Sequence, residues 1–122
     1  MKATELMIGD WVKTGHLDYN KVQEIARDNY MQWYISFACS ATLFRAYEFE
    51  PIPLTPEILE KNGWWFDTED TWRHDEVNFT IEKWNGRYQC YDINQIKLYS
   101  VHQLQQVLRL AGLTDMANNF KV

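Results

Sequence analysis

His102 stands in the first turn of a helical segment and is followed by Gln103, Gln105 and Gln106. A histidine there could act as a general base or a ligand, because its charge changes near neutral pH. That chemistry needs a second His, a Cys or an acid three or four residues on, and the sequence offers glutamines instead. The expected role is structural, with His102 bonding a backbone carbonyl while the helix start packs on a sheet.

A second cluster, Asp67, Glu69, Asp70, His74, Asp75 and Glu76, could hold a hard cation. It lacks the interior glycine and the closing glutamate of an EF-hand loop, and the chain has no HExxH, no CxxC and no His pair. It reads as a solvated turn, and no metal is expected. The third cluster is aromatic: Trp64, Trp65, Phe66, Trp72 and Trp84, with Arg87 nearby. Such rings stack sugars, bases or peptide prolines. Aromatic residues make up 16% of the chain, more than one small core needs, so some rings belong on a surface. Trp64 and Trp65 are adjacent in an expected strand and must point to opposite faces, which leaves at most one for the core. The expected binding surface comprises Trp64, Trp65, Trp72, Trp84 and Arg87, with Trp84 and Arg87 forming a cation–π pair worth about 0.5–1 kcal/mol.

Cys39 and Cys90 have no short spacing and no basic neighbour that would activate a thiolate, so neither reads as a nucleophile. Two free thiols in a reducing cytoplasm are expected. The five glycines are too dispersed for a phosphate loop, no cofactor is expected, and no apolar run reaches membrane-spanning length.

The elements that position these residues are well punctuated. PLTPEILEKNGW (53–64) reads as a short helix near 55–62. Thr55 is its cap, Pro56 fits the first position, Glu57 complements the dipole, and Gly63 is the stop. YSVHQLQQVLRLAG (99–112) reads as a helix over 100–112, with a Ser100–Gln103 capping box and a stripe of Val101, Leu104, Val107, Leu108 and Ala111. Gly112 ends it, and residues 114–122 add a turn before fraying. FTIEKWNGRYQCYDI (79–93) is a hairpin signal, because Asn85-Gly86 suits a type I′ turn. A two-residue loop there sets Trp84 opposite Arg87, Lys83 opposite Tyr88 and Ile81 opposite Cys90. Further strands are expected at 64–66 and 96–99. In the front half, residues 4–14 read as two strands about Gly9-Asp10, followed by strands at 21–26, 33–38 and 42–50, the last ended by Pro51 and Pro53.

Together these predict an α+β fold: a small, strongly curled, SH3-like antiparallel front half, then a hairpin and two capped helices packed on the sheet. The 122 residues form one domain, whose only candidate internal border is at 51–53.

Three anchors, IGDWV, EPIPLTPEILEKNGW and LYSVHQLQQVL, occur in this order along nearly the whole chain. They resemble a family of small uncharacterised proteins of gut anaerobic bacteria and their phages and mobile elements. The resemblance implies a bacterial or mobile-element context, and it carries over no activity and no site residue.

With 12 basic against 17 acidic residues, the net charge is −5, which repels nucleic acid on average. The expected function is a non-enzymatic cytoplasmic protein-interaction module with a protein partner. The alternative is a nucleic-acid-binding small barrel that gathers Lys13, Lys21, Arg27 and Arg45. A third reading is a small enzyme or inhibitor using His102 or the acidic turn.

Overall fold

The computed structural model describes residues 5–14, 18–27, 30, 32–37, 40–45, 49–68, 70–90 and 96–122. Its strands are β1 (Trp11–Thr14), β2 (Asp18–Arg27), β3 (Trp33–Phe37), β4 (Ser40–Arg45), β5 (Phe49–Pro51), β6 (Trp65–Phe66), β7 (Thr71–Arg73), β8 (Ile81–Trp84), β9 (Arg87–Cys90) and β10 (Ile96–Leu98). Helix α1 (Pro56–Lys61) precedes β6, and α2 (Val101–Leu110) and α3 (Thr114–Asn118) follow β10. The fold is α+β, with two antiparallel five-stranded sheets ordered β4-β3-β2-β1-β5 and β10-β9-β8-β7-β6. The first sheet is open: β4 and β5 are its edges, and no pairing joins them among the described residues.

The chain divides into two compact units. One holds Met1–Ile52 with Val101–Phe120, and the other holds Pro53–Ser100 with Lys121–Val122. In the first unit, Leu6, Val12, Val22 and Ile35 form a buried cluster against which Ile25 and Trp33 pack. Register shifts between Val22 and Glu24 in β2, and between Ile35 and Phe37 in β3, bend this sheet.

The expected strand before Gly9 is replaced by a turn. Asp10 is fully buried, its Oδ2 accepts from the Met7 amide at 2.8 Å, and its own amide donates to the Met7 carbonyl at 3.0 Å. A side chain that closes a turn on its own backbone removes the groups a strand would pair. Leu6 is still buried, although not as a strand residue. The strand expected over 42–50 is divided between β4 and β5, and its residues 46–48 lie outside those described. Pro51 is accommodated because β5 is an edge strand, pairing only with β1.

In the second unit, the Thr55 hydroxyl accepts from the Ile58 amide at 3.3 Å, with Pro56 starting α1. At its other end Trp64 N donates to Leu59 O and Gly63 N to Glu60 O, with Gly63 at φ +84°. That pair of bonds is a Schellman motif. The same motif ends α2: Leu113 N donates to Leu108 O and Gly112 N to Arg109 O. Ala111 falls in this turn and is exposed, which removes it from the expected stripe, while Val101, Leu104, Val107 and Leu108 are buried. The helical turn expected after residue 114 is present, and the residues beyond it are held in place. It forms α3, Phe120 is buried, and Lys121 exchanges two 2.8 Å hydrogen bonds with the Asn62 amide.

Candidate functional site

The Asn85-Gly86 turn sets the geometry of the aromatic cluster. Both residues adopt positive φ, 51° and 75°, and the β8–β9 ladder pairs Trp84 with Arg87, Lys83 with Tyr88 and Ile81 with Cys90. This is the register expected of a two-residue type I′ loop. Alternation then sorts the side chains. Ile81, Tyr88, Cys90 and Leu98 are buried on one face. Glu82, Trp84, Arg87, Gln89 and Lys97 belong to the other, with Lys97 opposite Gln89 and Gln89 opposite Glu82. Trp65 joins that outer face through its pairing with Arg73 on β7.

The five residues expected to form a binding surface therefore separate. Trp64 is 2% exposed and Trp72 6%, and both belong to the core. Trp64 sits edge-on to His74 at 5.4 Å and tilted against Phe79 at 5.9 Å. Phe66 meets Trp72 edge-on at 5.5 Å. Trp65 and Trp84 remain in solvent, 44% and 68% exposed. Arg87 is exposed beside Trp84, but its guanidinium carbon lies 5.5 Å from the Tyr99 ring centroid rather than over the indole. Arg87 occupies the strand between β8 and β10, so it has a ladder neighbour on each side, Trp84 on β8 and the end of β10. A hairpin considered alone reveals only Trp84; the third strand supplies Tyr99 and Lys97. Their participation depends on the β9–β10 register, which had no short-range signal in the sequence. Trp84, Asn85, Arg87, Gln89 and Lys97 border an open cleft of about 530 Å³.

The acidic turn makes its own internal contacts. Asp67 pairs with Arg73 at 2.5 Å, Asp75 accepts from the Trp65 indole at 3.2 Å, and His74 Nδ1 accepts from the Glu76 amide at 3.1 Å. Asp70 adopts φ 65° and its carbonyl accepts from Lys83 N. Glu69 lies outside the described residues. Among the described residues no three His, Cys, Asp or Glu side chains converge as metal ligands.

His102 and its glutamines lie in the first unit. His102 is 5% exposed, and burial lowers its pKa from the usual histidine value, against the opposing pull of the Asp10 and Glu5 carboxylates. Gln105 is fully buried: its Oε1 accepts from Trp11 N at 2.9 Å, and its Nε2 donates to Gly9 O at 2.8 Å and Ala117 O at 2.9 Å. Gln106 Nε2 donates to Glu5 O and Asp10 Oδ2, and Arg109 Nη1 donates to Asp10 Oδ1 at 2.5 Å. Together they tie helix α2 to the Gly9-Asp10 turn and α3.

Among the described residues, the front-half cations do not form a free basic track. Lys21 donates to the Asn118 carbonyl, Arg27 lies 5.4 Å from the Trp33 ring centroid, and Lys13 faces Glu50 across the ladder. The Arg45 side chain is outside the described set, as is Cys39. Cys90 is buried and forms no disulfide among the described residues. No described helix is long and apolar enough to cross a membrane.

No family model, curated protein or solved structure matches this chain.

Proposed function

We propose that this chain is a non-enzymatic protein-interaction module that docks a partner on the outer face of its second sheet, through Trp84, Arg87 and Tyr99 with Trp65 along the same face. The observation that carries this reading is the division of the tryptophans. Trp64 and Trp72 fill the core, whereas Trp65 and Trp84 stay in solvent on one face. A small domain gains nothing in stability from a largely exposed indole, and exposed aromatic side chains beside an arginine are the usual composition of binding hot spots. The non-enzymatic reading is supported by the burial of His102 and the commitment of its glutamines to backbone groups. A cytoplasmic setting, and the bacterial or mobile-element context, belong to this proposal. So does the SH3-like curl of the first sheet, which its two register shifts would produce.

The test is to pan a random-peptide phage library against the purified chain and, in parallel, against Trp84→Ala. Clones retained by the wild type and lost on Trp84→Ala are the expected result. Recovery of the same clones from both proteins, or of none from either, would overturn the reading.

A further inference from the structure

The charges around the cleft point to the chemistry of its occupant, given the docking reading just made. We propose that the partner segment held on this face is acidic, presenting carboxylates to Arg87 and Lys97 beside an apolar side chain laid on Trp84. Arg87 and Lys97 stand on neighbouring strands: Arg87 precedes Gln89 by two residues on β9, and Lys97 lies across from Gln89 on β10. Among the described residues, no acidic side chain borders the cleft they share.

Two arginines of the described residues are already neutralised by carboxylates. Arg73 has Asp67, and Arg109 has Asp10. Among the described residues, neither Arg87 nor Lys97 has one. The Arg87 guanidinium carbon lies 5.5 Å from the Tyr99 ring centroid. A cation–π contact of this kind leaves the charge intact, and the guanidinium N–H donors match a carboxylate in fork geometry.

A phosphodiester strand fits this face less well. It carries a charge at every nucleotide and needs a continuous track of cations. Here the positive run ends at once, because Glu82 occupies the position across from Gln89. Two cations and one exposed indole suit a short peptide bearing one or two carboxylates and a bulky apolar neighbour.

The experiment uses an array of synthetic peptides with systematically varied composition, probed with the full chain at about 150 mM salt, where surface charges act only over a short range. Acidic peptides with an apolar residue should be retained. Changing their Asp and Glu to Asn and Gln, or introducing Arg87→Gln together with Lys97→Gln, should weaken binding roughly tenfold, as two exposed charge pairs would supply. Both positions are on the surface, and circular dichroism of the double variant verifies its fold. Retention indifferent to acid-to-amide exchange would overturn the acidic preference while leaving docking intact. Tighter binding of single-stranded DNA than of any acidic peptide would overturn it in favour of a polyphosphate. Retention of no peptide would overturn both.

Discussion

The two units use similar residues for opposite purposes. In the first, the polar side chains are buried: Asp10 and Gln105 are fully inaccessible and hydrogen-bonded, and they hold a turn, a strand and two helices in register. In the second, aromatic side chains stand in solvent while identical ones a few positions away fill the core. Residue type alone therefore misleads in both directions. In the His-Gln cluster, Gln105 and Gln106 bond the Gly9-Asp10 turn and the helix that follows, and Trp84, 68% exposed, is the indole on which the proposed docking rests. Buried polar groups must find partners, so their presence reports on architecture. An exposed indole has no such obligation, so its presence needs another reason.

The comparison can be broken most forcefully within one residue type. Trp72→Ala should cost about 3–5 kcal/mol of unfolding free energy by leaving a cavity, whereas Trp84→Ala should stay within about 0.5 kcal/mol. Urea denaturation of both variants measures this, and comparable losses would erase the distinction between core and docking tryptophans.

Next in size is Gln105→Leu. The substitution keeps the volume but strands Trp11 N, Gly9 O and Ala117 O, each orphan costing about 1–3 kcal/mol. A destabilisation of at least about 3 kcal/mol is expected. A neutral variant would mean that the first unit is held by its apolar cluster alone.

The smallest effect sharpens the contrast through pH. His102 has a lowered pKa in the fold, so below the usual histidine value of about 6.5 the unfolded chain binds the proton more readily. Its contribution to stability is present above that pH and is lost as pH falls toward the folded value. The slope for one proton is at most about 1.4 kcal/mol per pH unit. Denaturation curves between neutral and mildly acidic pH should show this decline, and His102→Gln should flatten it. Stability that rises as pH falls through the window would contradict the assignment.

Local rules recovered what local forces determine. Thr55-Pro56 and Gly63 marked α1, Gly112 marked the end of α2, and Asn85-Gly86 fixed both the turn and the three cross-strand pairs that follow from it. They failed where distant groups decide. The strand expected before Gly9 lost to a turn closed by Asp10, whose carboxylate is held in place by Arg109 from the far end of the sequence. The burial of Gln105 could not be read from a helical pattern that assigns glutamine to the solvent side. Of the candidate site, Trp84, Arg87 and one member of the Trp64–Trp65 pair were legible as exposed. Tyr99 and Lys97 were not, because their place beside Arg87 is set by a third strand.

The Gln105 and Phe120 hydrogen bonds to Trp11 span 94 and 109 positions of sequence. During synthesis the N-terminal strands leave the ribosome long before these partners exist. A nascent chain ending anywhere before α2 carries β1 with its Trp11 amide, its indole and the Gly9 carbonyl still seeking acceptors and donors. The segment from Pro53 to Ser100, hairpin included, is one continuous stretch whose synthesis is finished before α2 begins. Vectorial folding thus runs against reading order: the part made second has all of its ladder at hand, and the part made first must wait for the last helices to arrive.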